Sequence, residues 1–277
     1  MARFALKIVE WVFSIPTTWK DPSMIAGIES MIKDAGYGKE LHHKVAISLT
    51  EAEAAAVYVS KQSMQRGDIF LVCDAGGGTT DVNALKVTAA ARGKTQLEPL
   101  HWNGGAFIGS TLIDFKVEKI LSDRLRMIPL ELNGDVEPIV KDVIQGRFLS
   151  YNDELRQIFD EQIERICELI DLQLKAVDDG HNGDSVSYLV LSGGLGSSPY
   201  VRRRIRELYE HSTKTQFDTN RGMEVLLASD PQLAVAHGLV MARTQALRGG
   251  PEVLSTRRSP VSYGALSASS SMRKQSP

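Results

Sequence analysis

Residues 68–87 read Asp-Ile-Phe-Leu-Val-Cys-Asp-Ala-Gly-Gly-Gly-Thr-Thr-Asp-Val-Asn-Ala-Leu-Lys-Val. Within them Asp74, the run Gly76, Gly77 and Gly78, then Thr79 and Asp81 form a set suited to holding a large anion. Glycines carry no Cβ, so their backbone approaches a bulky group closely, and successive N–H groups can converge on one concavity. Thr79 adds a hydroxyl donor. Carboxylates flanking such a nest would repel phosphate unless a hard cation stood between them, so the pattern calls for Mg²⁺ together with a nucleotide. A tight hairpin turn is the plainer reading of the same glycines, but two residues suffice for one.

A second glycine-rich turn lies more than a hundred residues on, at Gly193-Gly194-Leu195-Gly196-Ser197-Ser198-Pro199. Both turns follow short apolar runs, Ile69–Cys73 and 186–192, which read as buried strands. Two strand-to-glycine turns so far apart imply two α/β lobes that share one ligand. Other chemically able residues fit blander roles. His42-His43 has no third ligand nearby, and His101, His181 and His237 lack zinc spacing. Trp11, Trp19 and Trp102 read as packing residues, and Arg202-Arg203-Arg204 as a solvated helix face.

The elements that must position these turns are legible in order. Val12–Ile15 reads as a strand stopped by Pro16, and Asp21-Pro22 opens a helix whose apolar residues recur at three and four up to Gly36. A strand over 44–49 leads into an alanine-rich helix from Thr50-Glu51 to Ser60. The central strand and its partner, Val82–Val87, follow, then a strand over 95–102 and a helix over 110–125. The pattern weakens over 126–150, where Pro129, Gly134, Pro138 and Gly146 interrupt. A long helix over 152–177, a helix over 200–210, and one capped by Asp230-Pro231 and ending near Leu247 complete the ordered part. Beyond Gly249 the composition predicts a disordered tail.

The bulk properties bound the answer. The chain has 277 residues, 43% hydrophobic and 24% charged, enough for a large core in one domain or two lobes. A net charge of −2 gives no argument for nucleic acid or an anionic membrane as a bulk partner, and neither is expected. The apolar N-terminal stretch is too short to span a bilayer and is broken by Lys7 and Glu10. Two cysteines, Cys73 and Cys167, both expected buried and unpaired, fit a reducing compartment and so a cytoplasmic location.

Asp74-Ala-Gly-Gly-Gly-Thr-Thr-Asp81-Val resembles the second phosphate motif of the actin-like ATPase superfamily, in particular that of the heat shock protein 70 chaperones. Four more segments agree in order. Ile15-Pro16-Thr17-Thr18-Trp19 with Asp21 resembles the strand-end Val-Pro-Ala motif, and Glu51-Ala-Glu-Ala-Ala-Ala56 with Tyr58 resembles the connecting helix Glu-Pro-Thr-Ala-Ala-Ala. Ser192-Gly193-Gly194 with Ser198-Pro199 resembles the adenosine motif. Asp230-Pro-Gln-Leu-Ala-Val-Ala-His-Gly238 resembles the helix that closes the nucleotide-binding domain. Gly-Ser-Thr at 109–111 and Ser-Ser-Pro-Tyr at 197–200 resemble the divergent branch without a standard peptide-binding domain.

The resemblance implies an α/β, ribonuclease H-like actin-type fold and the ligands ATP or ADP, Mg²⁺ and a monovalent cation such as K⁺. It implies that Asp74 and Asp81 hold the cations through water, that Gly76, Gly77, Gly78 and Thr79 cradle the β- and γ-phosphates, and that Glu51 orients a water. Gly193 and Gly194 would lie against the ribose and α-phosphate, with Gly105 near the phosphates. For Glu51 the helix dipole alone accounts for an acid in the first turn, and Asp81 could simply pair with a strand neighbour. The resemblance further implies ATP-dependent work on client or co-chaperone proteins.

The chain also departs from the family. The superfamily's first phosphate hairpin and its aligning lysine have no counterpart here. Ser197 falls where the chaperones place an adenine-stacking arginine, and Ala106-Phe107 replaces acidic neighbours of the glycine pair. The expectation is therefore a remnant of lobe I over 1–65, lobe II over 66–248 with a helical subdomain at about 110–180, and a tail over 249–277. Function is expected to be ATP binding with weak hydrolysis. The alternatives are an inactive nucleotide-binding or interaction module or fragment and, less favoured by the Glu51 helix, a sugar kinase of the same superfamily.

Overall fold

The computed structural model describes residues 7–19, 21–61, 64–91, 94–101, 104–126, 151–180, 184–210 and 222–256. In the first part, β1 (Val9–Ile15) and β2 (His43–Thr50) pair in parallel, joined through α1 (Pro22–Asp34). Asp21 caps α1 as its sequence predicts, accepting from the Ser23 amide at 2.8 Å. β2 runs directly into α2 (Glu51–Ser60). Thr50 and Glu53 close a capping box there, each side chain accepting from the other's backbone amide. The box fixes where the helix begins, and so where Glu51, its first residue, stands.

The second sheet contains β3 (Ile69–Ala75), β4 (Thr80–Ala91), β5 (Lys94–Pro99), β6 (Gly104–Ala106), β7 (Tyr188–Ser192) and β8 (Glu224–Leu227). Its order is β5-β4-β3-β7-β8, with β6 paired to β4. β3 and β4 form the expected antiparallel hairpin across the glycine run, whereas β3–β7 and β7–β8 are parallel. The helices are α3 (Ser110–Arg126), α4 (Tyr151–Gly180), the single turn α5 (Gly193–Gly196), α6 (Pro199–Tyr209) and α7 (Ala234–Leu247). Residues 127–150, where the sequence pattern weakens, lie outside the described residues.

Both faces of the second sheet are covered, which is why β3 reads as an unbroken apolar run rather than an alternating one. Ile69, Leu71, Cys73 and Ala75 join a core with Ile163, Ile166, Ile170 and Leu174 of α4 and Ile205 of α6. Phe70 and Val72 join the other, with Ala54–Val59 of α2 and Leu239 of α7. On α6, Arg204 pairs with Asp160 and Glu207, and Arg203 with Glu207, the solvated face expected of the arginine run.

α2 and α7 pack against each other through small residues. Ala52, Ala54, Ala55 and Ala56 are fully buried, and Gly238 lies so close that a Cβ there would overlap the Ala54 carbonyl. The Tyr58 hydroxyl donates to Asp230 Oδ2 at 2.8 Å, and its ring stacks on His237 at 5.1 Å between centroids. This corrects the expected cap. α7 starts at Ala234, after a turn in which the Leu233 amide donates to the Asp230 carbonyl, so Asp230 tethers the two helices instead. Arg243 of α7 donates from Nε to Glu10 of β1 at 2.6 Å, tying the first sheet to the second part.

The start of the expected tail is also different. The Leu97 amide donates to Val253 O at 2.7 Å and the Ser255 amide to Leu97 O at 2.9 Å, so this segment runs along the edge of β5. Val253 and Leu254 are buried, and the Gln245 side chain donates to Pro251 O. An edge strand leaves backbone groups unpaired, and two apolar residues in a polar stretch suffice to cover it. The remainder of the tail, 257–277, lies outside the described residues.

Candidate functional site

Asp74 near the end of β3 pairs in register with Ser192 at the end of β7. Parallel neighbours end on the same side of a sheet, so the turns that follow them emerge side by side. They open onto one cavity of about 540 Å³, lined by Asp74, Gly76, Gly77, Gly78, Thr79, Gly193, Gly194 and Glu51. Pro16, Trp19, Phe107, Pro231, Gln232 and Val235 complete the wall. Eight of the ten residues singled out from sequence therefore share one space.

The other two, Gly105 and Asp81, sit behind it. They face each other across the β4–β6 ladder, and a Cβ on Gly105 would overlap Asp81 Oδ1. Asp81 is buried, and its Oδ1 finds no hydrogen-bond partner. The Thr18 hydroxyl of the loop after β1 is buried and unsatisfied too. Gly105 thus makes room for Asp81, rather than lining the cavity itself. Trp19, expected to be a packing residue, belongs to the cavity wall, and so does Phe107, which remains 69% exposed.

The first turn is strapped into shape. The Gly76 amide donates to Thr79 O at 2.9 Å, so it closes the hairpin and is not a free donor to a ligand. The Ser110 and Thr111 amides of α3 donate to Gly76 O and Gly77 O at 3.2 and 3.0 Å. The Thr111 hydroxyl also donates to Gly77 O, at 2.8 Å. Gly109 lies against the Gly77–Gly78 peptide with no space for a Cβ. Sequence reading missed these roles, although Gly109-Ser110-Thr111 stood out as a phrase. The second turn shows a different constraint. Gly193 has φ +80°, and a Cβ there would overlap Ala75 O and stand 2.8 Å from Asp74 Oδ1. Only glycine meets both demands.

The electrostatics follow from three carboxylates converging, with no lysine or arginine among the described residues of the cavity wall. Burial, aided by the Asp74 charge, pushes Glu51 above the usual carboxylate range. Burial raises Asp74, opposed by a hydrogen bond from Ser192. Asp81 rises to about 7 through burial and then the charges of Glu51 and Asp74, with Thr17 opposing. Among the described residues no group of three or more His, Cys, Asp or Glu stands close enough to hold a metal ion directly. The orphaned Asp81 oxygen and the mutually repelling acids do fit a cation held through its water shell.

These shifts carry a pH prediction. A carboxyl whose pKa is higher in the folded state than its ordinary 3.8 binds more protons folded than unfolded. Its contribution is full below 3.8 and is lost as pH rises towards about 7. Thermal melts of the ligand-free protein should therefore show the carboxylate cluster favouring pH 5 over pH 7.5. Millimolar Mg²⁺ with nucleotide should flatten the difference. A profile unchanged by Asp81→Asn would show that this carboxyl is not responsible.

No family model matches the chain. Curated relatives do. It is 23% identical to the chaperone protein DnaK of Carsonella ruddii (strain PV), over 84% of this chain and 42% of that protein. It is 24% identical to the mitochondrial-type heat shock protein 70 of Encephalitozoon cuniculi (strain GB-M1), over 91% and 43%. The corresponding protein of Encephalitozoon hellem is 26% identical, over 88% and 41%. Over most of its length the chain is thus similar to divergent heat shock protein 70 chaperones. The chain spans about two fifths of the length of the curated relatives it matches, and its mixed α/β architecture is consistent with the actin-like ATPase fold. No helix among the described residues is long and apolar enough to cross a membrane.

Proposed function

We propose that the chain binds ATP and ADP with Mg²⁺ in the cavity between the two glycine turns, and hydrolyses ATP weakly. The observation that carries this reading is the meeting of Gly77–Thr79 and Gly193–Gly194 around Asp74 in one space. In this reading residues 1–65 are the remnant of lobe I and 66–248 form lobe II. Gly77, Gly78 and Thr79 hold the outer phosphates, while Gly193 and Gly194 lie against the ribose and α-phosphate. Asp74 and Asp81 hold Mg²⁺ or K⁺ through water, and Gly105 gives Asp81 its place. When bound, the metal neutralises charge on the transferring phosphoryl group. Glu51, at the head of α2 and facing Asp74, orients a water and takes up a proton on its raised carboxyl.

Weak turnover follows from what the wall lacks. No lysine or arginine is among the described residues that line the cavity, and one missing electrostatic group is commonly worth about 3 kcal/mol in a barrier. This feature also supports the second reading, a nucleotide-binding module without turnover. Client or co-chaperone proteins are the partners the chaperone relatives suggest, and the unpaired Cys73 and Cys167 suit a reducing compartment such as the cytoplasm.

Calorimetry and single-turnover hydrolysis on the purified chain separate these readings. Micromolar Mg²⁺-dependent ATP binding with slow phosphate release is the expected result. Binding without release favours the inactive module. No binding of ATP or ADP, with Mg²⁺ present, overturns both.

A further inference from the structure

We infer that Thr111, at the start of α3, is the positioning residue of the glycine hairpin: it aims the Gly78 amide at a phosphoryl oxygen before any ligand arrives, beside a Gly77 amide turned the same way by Ser110. The inference rests on the nucleotide reading above and adds a residue to it that lies outside the cavity.

All peptide bonds among the described residues are trans, and across a trans peptide the N–H points opposite to the C=O. The Gly76 carbonyl is held towards α3 by the Ser110 amide, so the Gly77 N–H points away from α3. The Gly77 carbonyl is held towards α3 twice, by the Thr111 amide at 3.0 Å and its hydroxyl at 2.8 Å, so the Gly78 N–H points the same way. α3 contributes no residue to the cavity wall, whereas Gly76, Gly77 and Gly78 do. The cavity therefore lies on the side to which both amides are turned.

Such an arrangement needs an anchor. Gly77 and Gly78 are exposed and have the largest backbone freedom of any residue type. Without support the two peptides would sample many orientations, and a ligand would have to order them at a cost in affinity. The anchor is doubled at the other end of the hairpin, where the Thr80 hydroxyl donates to Ile108 O at 2.9 Å. Gly109 lets the two segments touch, because any side chain there would overlap the Gly77 carbonyl. The segment 108–111 is thus a splint for the phosphate hairpin, and Thr111 supplies the only side-chain hydrogen bond to a glycine carbonyl in it among the bonds described.

The test uses Thr111→Val, which removes the hydroxyl at nearly constant shape, and Thr111→Ser, which keeps it. Thr111 is exposed, so both variants should melt close to the parent. Calorimetric Kd values are measured for Mg–ADP and for adenosine, and amide hydrogen exchange is followed over residues 76–79 in the ligand-free proteins. Expected for Thr111→Val are a Kd for Mg–ADP about tenfold weaker, the scale of one lost hydrogen bond, an unchanged adenosine Kd, and faster exchange at 78. Thr111→Ser should restore all three. Equal Mg–ADP affinity in Thr111→Val and the parent, an equal loss towards adenosine, or no rescue by serine would overturn the inference alone. Absence of Mg–ADP binding by the parent would overturn the nucleotide reading with it.

Discussion

Gly238→Ala should be the most damaging single-carbon addition to this fold. The new methyl would occupy the position of the Ala54 carbonyl oxygen, and that atom cannot swing aside because it belongs to α2. The two helices would have to separate. The cost falls on Ala52, Ala55 and Ala56, all fully buried with no side chain long enough to follow a receding partner. It also strains the Tyr58–Asp230 hydrogen bond and the Tyr58–His237 stack. Overpacking of this kind costs about 1–3 kcal/mol where a core can adjust. Between two backbones an effect above ~4 kcal/mol is the reasonable scale. For a domain of this size that is a drop of roughly 8–16 °C in Tm. A shift of under 2 °C by calorimetry would mean that the helices are not in this contact.

The second large effect is on ligand binding, and it comes with an opposite effect on stability. Asp74→Ala should weaken Mg–ATP binding about a hundredfold, since truncating one partner of a buried charge interaction costs on the order of 3 kcal/mol. In the ligand-free protein the same change should raise Tm. Asp74 is held above its usual pKa by burial, and its charge raises both Glu51 and Asp81. Removing it relieves the repulsion that a proton or a cation would otherwise relieve. A functional group that destabilises its own apo fold is the expected signature of a binding site. Loss of binding together with loss of stability would instead make Asp74 a structural residue, and undiminished Mg–ATP affinity would remove it from the site.

Much of this was legible in the sequence because the signals are local. An apolar run that ends in glycine marks both β3 and β7, and an Asp-Pro or Thr-Glu step marks the starts of α1 and α2. What sequence hid depends on contacts across the chain. Asp230-Pro231 carries the same cap signature as Asp21-Pro22, but Tyr58, 172 residues away, engages the Asp230 carboxylate. β8 is only four residues long and becomes a strand because β7 is already beside it. Thr111 acts on a carbonyl 34 residues earlier, and nothing in the spacing of Gly109-Ser110-Thr111 announces that. Trp19 reads as packing in the sequence because tryptophan is usually buried, and only the fold shows it in the cavity wall.

Asp81 and Gly105 show the same limit within the site itself. Both belong to the recognisable pattern, yet one is a buried carboxylate behind the cavity and the other is the gap that admits it. Their pairing across β4 and β6 could not be read from two motifs separated by a stretch of hairpin.

The most direct test of the account follows the backbone amides of Gly77, Gly78, Gly193 and Gly194 by heteronuclear NMR while Mg–ADP is added to the ligand-free chain. The two-turn grip predicts that both pairs shift together along one titration curve with a single Kd. Shifts confined to one pair, or none in either while the protein stays folded, would contradict it.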